Sequence, residues 1–320
     1  MTAAPQRPRL PRRALHGVLL LDKPLGLSSN DALQKVKRLY RAEKAGHTGT
    51  LDPLATGLLP ICFGAATKFS QVSLDADKAY VATLRLGQTT VGGDREGAVI
   101  EERPVNVSPA LLAQACAGFL GEIDQVPPMH SALKKDGKAL YDYARAGIEL
   151  VREPRRVTIH TLDILAWDAD TSHLQLAVRC SKGTYVRTLA EDLGRVLGCG
   201  AHLAALRRTG SGGLTLDHAV TLDQLTELDA AARDALLLSP DRLVADWPEV
   251  RLPTNEAARF LTGLRRRTPV PDTPAVRVYG PEPAAFLGSA HILAGELIAD
   301  RLLSPVEVQA LLNPPETSPS

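Results

Sequence analysis

The sequence predicts an α+β protein with a central mixed or antiparallel sheet flanked by helices, followed by a small β-rich C-terminal domain. Strand and helix patterns alternate along the chain without the regular βαβ spacing of a parallel sheet. From about Asp246 the composition changes to short strands and turns. A chain of 320 residues, 44% apolar and 23% charged, can bury a sizeable core and form two domains.

Local patterns predict the elements of the first part of the chain. HGVLLLDKP (16–24) is a short apolar run closed by proline, which predicts a buried strand. Residues 28–31 (SSND) supply an N-cap for a helix with one apolar face. GHTGTLDPLATGLLP (46–60) is predicted to be a loop, and KAYVATLRLG (78–87) a strand with alternating inward side chains.

The second part contains two predicted helices and two predicted strands. Ser108 and Pro109 are typical of a helix start, so SPALLAQACAGFLG is predicted to be helical. RVTIHTLDILAWD and HLQLAVRCSKG are predicted strands. YVRTLAEDLGRVLG is a predicted helix that turns Val196 inward, with four other apolar residues, and stops at Gly198.

A basic, irregular stretch interrupts this pattern. Seven Lys or Arg residues between His130 and Arg156 face four acidic residues, with Tyr141 and Tyr143 between them. We expect a mobile insertion that projects from the core. The predicted division is an N-terminal basic arm (1–14), a main domain (15–245) with the insertion at about 122–158, a C-terminal domain (246–312) and a disordered tail (313–320).

Charge is distributed unevenly along the chain. Residues 1–214 contain 28 Lys and Arg against 21 Asp and Glu, whereas residues 215–320 contain 9 against 15 and no lysine. This asymmetry is compatible with a polyanion binding to the N-terminal two-thirds or with an ordinary solvated basic face.

Cysteine usage and hydropathy narrow the class of protein. Four scattered cysteines without a CxxC pair argue against a zinc site or a disulfide framework and favour a reducing, cytoplasmic location. No apolar run is long enough to span a bilayer, and the basic, Pro-rich start is unlike a signal peptide. We therefore expect a cytoplasmic protein.

Asp52 is the most unusual residue of the 46–60 stretch. Apart from His47 and Cys62, it is the one ionisable side chain between Lys44 and Lys68. A carboxylate in an apolar-walled, Gly-rich loop is expected to be poorly hydrated and to interact strongly with an approaching charge, as a nucleophile or a stabiliser of an oxocarbenium-like sugar must. An Asx-turn aspartate that caps backbone N–H groups is the alternative.

Arg187 is a candidate partner for that carboxylate. It lies in the first turn of the predicted helix, where a cation opposes the helix dipole. A specific acidic partner would offset this cost. The alternative is a surface arginine paired with Glu191 at the i+4 position.

Four motifs in register resemble the TruB family of bacterial tRNA pseudouridine synthases. They are GVLLLDKPLGLSSNDALQKVKRLY, AGHTGTLDPLATGLLPICFGAATKFSQ, KAYVATLRLG and CSKGTYVRTLAEDLGRVLGCGAHLAALRRTGSG. The likeness covers roughly residues 15–245 and continues more weakly to the end. It implies a pseudouridine-synthase catalytic domain with a PUA-like C-terminal domain, acting as a monomer on the T-arm stem-loop of tRNA without a cofactor.

The resemblance assigns roles to individual residues of the motifs. It implies that Asp52 is the catalytic carboxylate for isomerising uridine 55 of the T-loop by a nucleophilic or a glycal route, after the base is flipped out. Tyr80 would stack on uracil and assist proton removal from C5, Arg187 would pair with Asp52, and Tyr185 would line the pocket. In addition, His47 would fill the T-loop where the nucleotide is extracted, and Lys23 would lie near the cleft.

The insertion resembles the thumb of the family, whose basic residues would contact tRNA phosphates. Those residues are Lys134, Lys135, Lys138, Arg145, Arg152, Arg155 and Arg156. The sequence departs from the family pattern in two places. Gly92-Gly93 stands where the family usually has a Thr or Ser, and His130 stands where it commonly has Tyr or Phe. These changes leave a hydroxyl contact and an aromatic contact undecided, and either change could also be neutral.

Two other functions compete with the synthase hypothesis. An RNA-binding or RNA-folding module would keep the basic arm and thumb without needing Asp52. A glycoside-bond hydrolase would need a second acid near residue 52, and the 46–60 stretch contains none. A serine hydrolase is disfavoured because the sequence has no GxSxG motif.

Overall fold

The apolar runs and caps of the sequence form strands and helices over the residues that the structure, a computed structural model, describes: 11–131, 133–281 and 285–313. The strands are β1 (Gly17–Lys23), β2 (Ala45–His47), β3 (Ala55–Phe63), β4 (Lys78–Leu86), β5 (Gln88–Thr90), β6 (Val99–Glu102), β7 (Gly121–Gln125), β8 (Lys134–Lys135), β9 (Lys138–Ala139), β10 (Arg155–Asp168), β11 (His173–Cys180), β12 (Ala201–Ser211), β13 (Leu214–Thr215), β14 (Glu249–Arg251), β15 (Arg266–Arg267), β16 (Thr273–Tyr279), β17 (Phe286–Leu293) and β18 (Glu296–Leu302). The helices are α1 (Ser29–Leu39), α2 (Ser70–Asp75), α3 (Pro109–Ala117), α4 (Leu140–Arg145), α5 (Val186–Val196), α6 (Leu222–Glu227), α7 (Ala230–Ala235), α8 (Thr254–Phe260) and α9 (Pro305–Leu312).

The chain divides into two compact units. The first unit comprises Met1–Thr50, Leu59–Leu74 and Leu216–Ser320, and the second comprises Leu51–Leu58 and Asp75–Thr215. The division falls inside β3, so this strand contributes residues to each unit. The predicted domain boundary at residue 246 stays a prediction.

In the second unit, the sheet runs in the order β3, β12, β4, β11, β10, β7. β12 pairs parallel with β3, and the other neighbours in this series pair antiparallel. The predicted mixed sheet is therefore confirmed. Helices α3 and α5 pack on the sheet through a continuous apolar core that includes Leu112, Leu176, Leu189 and Leu193.

In the first unit, β1 and β2 are neighbours of β3, and the predicted α1 begins at its expected cap. The Ser28 hydroxyl accepts a hydrogen bond from the Asp31 backbone N–H, at 3.1 Å. Tyr40 packs on Phe63, with ring centroids 5.0 Å apart. The same unit contains a five-stranded sheet in the order β14, β16, β17, β18, β15, which confirms the β-rich C-terminal region.

The predicted loop over residues 46–60 is wrong at both of its ends. Gly46 and His47 belong to β2, and residues 55–60 belong to β3, which leaves 48–54 between the strands. Gly57 explains the difference, because a Cβ there would lie 2.2 Å from the Arg208 carbonyl oxygen of β12. The absence of a side chain at Gly57 thus allows β3 and β12 to approach closely. In the sequence, a glycine with this purpose cannot be distinguished from a loop glycine.

The inward orientation predicted for Val196 is also wrong. Its side chain is 62% exposed, although Leu189 and Leu193 of the same helix are buried. Val196 is the last residue of α5, and the chain turns immediately afterwards through Gly198 at φ +77°. The side chain therefore projects beyond the packed part of the helix. Over residues 11–131, 133–281 and 285–313, no helix is long and apolar enough to cross a membrane.

Candidate active site

Asp52 lies in the second unit, three residues before β3. Its backbone carbonyl accepts a hydrogen bond from the Ala55 N–H at 3.0 Å, which closes a turn around Pro53. The side chain is 42% exposed, so the expected poor hydration of this carboxylate is wrong. A reacting molecule can therefore approach the carboxylate, although Ala55 at the start of β3 is buried.

Arg187 supplies the cation for this carboxylate. It is the second residue of α5, and its side chain is 7% exposed. Its Nη2 lies 3.0 Å from Asp52 Oδ2, and its Nη1 lies 3.5 Å from Asp94 Oδ2. The guanidinium therefore lies between two carboxylates and pairs with both. Of the two alternatives for Arg187, the structure therefore shows the pairing with Asp52.

Backbone carbonyls fix the orientation of the Arg187 guanidinium. Nη2 donates to the His130 carbonyl oxygen at 2.7 Å, and Nη1 donates to the Gly92 carbonyl oxygen at 3.4 Å. The two departures from the family pattern thus meet at one place, where they contribute main-chain acceptors that any residue can supply. They also pack together, because a Cβ on Gly92 would lie 3.2 Å from Cδ2 of the His130 ring.

Tyr80 lies on β4, directly opposite Arg208 of β12. The Arg208 guanidinium donates a hydrogen bond to the Tyr80 hydroxyl oxygen. Burial raises the pKa of Tyr80 above its ordinary value, and the Asp52 charge acts in the same direction, whereas Arg208 opposes the shift. Tyr80 therefore stays a neutral phenol in the electrostatic field of Asp52.

Tyr185 is the N-cap residue of α5. The Gln125 side chain makes two hydrogen bonds to the Tyr185 backbone. Its Oε1 accepts from the Tyr185 N–H at 2.9 Å, and its Nε2 donates to the Tyr185 carbonyl oxygen at 3.3 Å. Burial raises the pKa of Tyr185, and the nearby Ser131 acts in the opposite direction. Asp52 and Arg187 also act on this phenol electrostatically, which places Tyr185 in the same neighbourhood.

The structure thus brings four predicted residues together in the second unit: Asp52, Tyr80, Tyr185 and Arg187. His47 and Lys23 belong to the first unit. His47 lies in β2 opposite Ile61. Lys23 is fully buried, and its ammonium donates to the carbonyl oxygens of Pro24 at 2.9 Å and Leu27 at 2.6 Å. The proposed RNA contacts of both residues stay predictions.

The basic residues of the predicted insertion lie largely at the surface. The insertion begins after β7 and ends before β10, and these two strands pair with each other. The intervening segment therefore lies outside the main sheet. Lys138 and Arg145 stack on Tyr143 and Tyr141, at 4.8 and 5.3 Å from the ring centroids. Lys134, Lys135, Lys138, Arg145, Arg155 and Arg156 are exposed, and Arg152 is half-buried.

Three residues of the site were not predicted from the sequence. Asp94 directly follows the Gly92-Gly93 departure, where no pattern assigns it a role, and Gln125 lies in the irregular stretch where no pattern marks it. Arg208 is one of two adjacent arginines that follow the apolar stretch AHLAAL of the fourth motif, where no strand was predicted. In the parts of the chain that the structure describes, no group of His, Cys, Asp or Glu side chains is arranged to hold a metal ion.

Family descriptions match nearly the whole chain. The description "TruB family pseudouridylate synthase (N terminal domain)" matches residues 37–186. Residues 187–245 match "tRNA pseudouridylate synthase B C-terminal domain", and residues 248–303 match "Pseudouridine synthase II TruB, C-terminal".

Proteins described as tRNA pseudouridine synthase B are similar over nearly their full length. The protein of Cupriavidus pinatubonensis is 59% identical over 304 residues, covering 92% of this chain and 96% of its own. That of Burkholderia lata is 58% identical over 306 residues, covering 94% of each chain. That of Verminephrobacter eiseniae is 56% identical over 311 residues, covering 96% of this chain and 94% of its own.

Solved structures confirm the predicted fold. A chain in a Cbf5–Nop10–Gar1 complex superposes with a TM-score of 0.70 at 23% identity, covering 92% of this chain and 87% of that one. A chain in an H/ACA ribonucleoprotein bound to a substrate RNA gives a TM-score of 0.69 at 22% identity, covering 91% and 86%. Together with the sequence matches, these findings show that the chain belongs to the TruB family of pseudouridylate synthases, which are isomerases.

Proposed function

We propose that this protein converts the uridine at position 55 in the T-loop of tRNA to pseudouridine, with Asp52 as the catalytic carboxylate. Relatives with 55–59% identity are described as tRNA pseudouridine synthases, which supports tRNA as the substrate. The observation that carries the assignment to Asp52 is its accessible carboxylate, 3.0 Å from the buried Arg187 guanidinium.

The reaction needs one carboxylate and no second substrate. The C1′–N1 bond of the target uridine breaks, a C1′–C5 bond forms, C5 loses its proton and N1 gains one, so the atoms balance within a single nucleotide. Positive character develops on the ribose as the base departs, and an anionic Asp52 stabilises it directly or bonds to C1′. The ion pair with Arg187 holds the Asp52 carboxylate in place until the ribose arrives.

The tyrosines act on the uracil. Tyr80 is a neutral phenol beside Asp52, and its ring offers a stacking surface for a base that has left the loop. Tyr185 at the start of α5 lines the same neighbourhood. Flipping the uridine out of the T-loop costs a few kcal/mol, and we assign His47 to the space that it leaves. The exposed basic residues of the insertion neutralise phosphates of the T-arm.

Site mapping of pseudouridine tests the proposal. An unmodified tRNA transcript is incubated with the protein, treated with a carbodiimide and read by primer extension. We expect a stop at uridine 55 with the wild type and none with Asp52→Asn, whose amide cannot act as a nucleophile. Asp170→Asn, an exposed turn position between β10 and β11, is the matched control and should retain activity.

The outcomes separate the competing functions. Modification that survives in Asp52→Asn would show that Asp52 is structural and that the assignment is wrong. A stop at another uridine would keep the enzyme class and refute the T-loop position. Tight tRNA binding without modification by the wild type would instead favour an RNA-binding module.

A further inference from the structure

We propose that Arg208 is a positioning residue for the isomerisation, because it holds the Tyr80 phenol in its working orientation. Arg208 lies on β12, between Gly57 of β3 and Tyr80 of β4, and its side chain is among the largest that are fully buried. The inference rests on the proposed role of Tyr80 at the uracil.

Two acceptors on opposite sides orient the guanidinium. Its Nε donates to the Leu58 carbonyl oxygen of β3 at 2.7 Å, and the group also donates to the Tyr80 hydroxyl oxygen. Arginine has donors and no acceptor, so the phenol oxygen must accept this bond. The phenol is thereby tied through the guanidinium to the backbone of a nearby strand, which fixes the position of its hydroxyl end.

The surroundings of Arg208 leave it little freedom. β3 approaches so closely that a Cβ on Gly57 would lie 2.2 Å from the Arg208 carbonyl oxygen and 2.9 Å from its N atom. The backbone of Arg208 is therefore held on the β3 side and its side chain is enclosed, with 1% of the residue exposed. A planar guanidinium in such a position loses little further entropy when it holds the phenol.

Burying the charge of Arg208 costs desolvation free energy, which an apolar side chain at the same position would not cost. A buried cation loses hydration, and burial lowers the pKa of Arg208 while the Tyr80 phenol acts in the opposite direction. The titratable groups that face the Tyr80–Arg208 pair are Lys78 on the same strand as Tyr80, Cys180 on β11, and Asp52. A buried apolar side chain would fill the space without this cost but could not donate to the Leu58 carbonyl and the Tyr80 hydroxyl.

The consequence for the reaction is geometric and electrostatic. The phenol is held within the field of Asp52, so the uracil that stacks on it is oriented against the carboxylate that reacts with its ribose. Loss of the hydrogen bond therefore affects the chemical step rather than tRNA binding.

A double-mutant cycle tests the proposal with the full-length protein and tRNA transcript. Single-turnover rates and tRNA dissociation constants are measured for Arg208→Met, Tyr80→Phe and the double variant. We expect Arg208→Met to lower the rate by about 100-fold, since a misplacement of about 1 Å can have that effect. The dissociation constant should stay within about 2-fold, and in the Tyr80→Phe background Arg208→Met should change the rate by less than about 3-fold.

Two control variants distinguish a folding defect from a loss of positioning. Arg179→Met removes an exposed arginine from β11 of the same sheet and should leave the rate unchanged. Arg208→Lys keeps the charge but lacks the planar fork, so a part of the lost rate should return. If Arg208→Met does not fold, Arg208→Lys carries the same test when it is compared in the wild-type and Tyr80→Phe backgrounds.

Equal rate losses in the two backgrounds would overturn the proposal, because a general structural role does not depend on the phenol oxygen. An unchanged rate in Tyr80→Phe would also overturn it, and would refute the proposed part of Tyr80 while leaving the Asp52 assignment to its own test. In that case, thermal unfolding of the wild type, the two single variants and the double variant would still show non-additive losses of stability. The hydrogen bond would then stabilise the fold without taking part in the reaction.

Discussion

Arg187 and Arg208 are both buried in the second unit, and the contacts that orient their guanidinium groups differ in kind. Arg187 lies between the carboxylates of Asp52 and Asp94 and is steadied by two carbonyl oxygens. Arg208 instead donates to a carbonyl oxygen and a neutral phenol. The first arrangement holds an anion ready at an accessible position, whereas the second holds a neutral ring in place.

The difference shows how one residue type can serve two purposes in one site. An ion pair depends mainly on the distance between charges, so it tolerates an accessible partner such as Asp52. A hydrogen bond to a phenol depends strongly on direction, so Arg208 must be enclosed by neighbouring strands. Substitutions near each arginine should therefore have different signatures in activity and stability.

The largest effect is expected from Arg187→Gln. Glutamine cannot balance Asp52 and Asp94, and the reaction rate should fall by about 10³-fold, as when an oriented charge is removed from a site. The free energy of unfolding should also fall by about 3 kcal/mol, because one partner of a buried charge cluster is lost. Single-turnover kinetics and urea unfolding measure the two quantities. A rate within about 3-fold of the wild type would show that Arg187 does not support Asp52.

The next largest effect is expected from Gly57→Ala, which tests how closely β3 approaches Arg208. The added Cβ would lie 2.2 Å from the Arg208 carbonyl oxygen, at a backbone φ of +97°, so we expect the free energy of unfolding to fall by about 3 kcal/mol or more. Urea unfolding provides the measurement.

Gly183→Ala is a matched control for the backbone conformation. Gly183 has φ +79°, and a Cβ there meets no atom within 4 Å, so its substitution should cost about 1 kcal/mol. Equal losses at the two glycines would mean that backbone strain, and not the close approach of β3 to Arg208, determines the need for glycine at position 57.

Lys78 reports on the charge of Arg208 through the pH dependence of stability. Burial, followed by the Arg208 charge, lowers the pKa of Lys78 from 10.5 to about 8 in the folded protein. Between these values the unfolded chain binds more protons, so stability contributed by Lys78 rises with pH. Relative to Lys78→Met, the wild type should gain about 2 kcal/mol between pH 7 and pH 9.5.

Urea unfolding of both proteins over this pH range gives the measurement, and the difference between them removes the titration of other groups. Most cysteines and tyrosines whose pKa values are raised by burial are common to both proteins, whereas Cys180 loses the nearby charge of Lys78 in the variant, which raises its pKa further. A constant difference across the range would mean that Lys78 is not desolvated in the folded state, and that its surroundings do not include an effective buried cation.

The smallest effect is expected from Arg156→Gln, which serves as a reference for an exposed arginine. Arg156 lies 3.4 Å from Asp124 and 3.7 Å from Glu122, and all three side chains are largely exposed. Its loss should change the free energy of unfolding by less than about 0.5 kcal/mol. If Arg156 contacts a phosphate, the salt dependence of tRNA binding should weaken by about one unit of slope.

Salt titrations of tRNA binding by the wild type and Arg156→Gln check the second part of this prediction. An unchanged slope would remove Arg156 from the proposed tRNA contacts. A loss of stability as large as that of Arg187→Gln would abolish the distinction between exposed and buried arginines on which the comparison depends.

Local patterns and family motifs in the sequence were enough to predict several elements and the identity of the central residues. Strand alternation predicted β4, β10 and β11, and caps predicted α1 and α3, because these features depend on neighbours only a few residues apart. The family motifs indicated Asp52, Tyr80, Tyr185 and Arg187, and the structure places these four residues in one unit. The same local reasoning failed for residues 46–60, since a glycine that permits strand pairing resembles a loop glycine.

The contacts that support those residues could not be predicted, because they depend on the folded arrangement of the chain. The pairing of Tyr80 with Arg208 follows from the order β3, β12, β4, which brings distant segments side by side. The contact of Gln125 with Tyr185, and the contacts of Arg187 with Asp94 and two backbone carbonyls, arise in the same way. Hydropathy and spacing contain no signal for such contacts, because their energy comes from geometry that exists only after the sheet has formed.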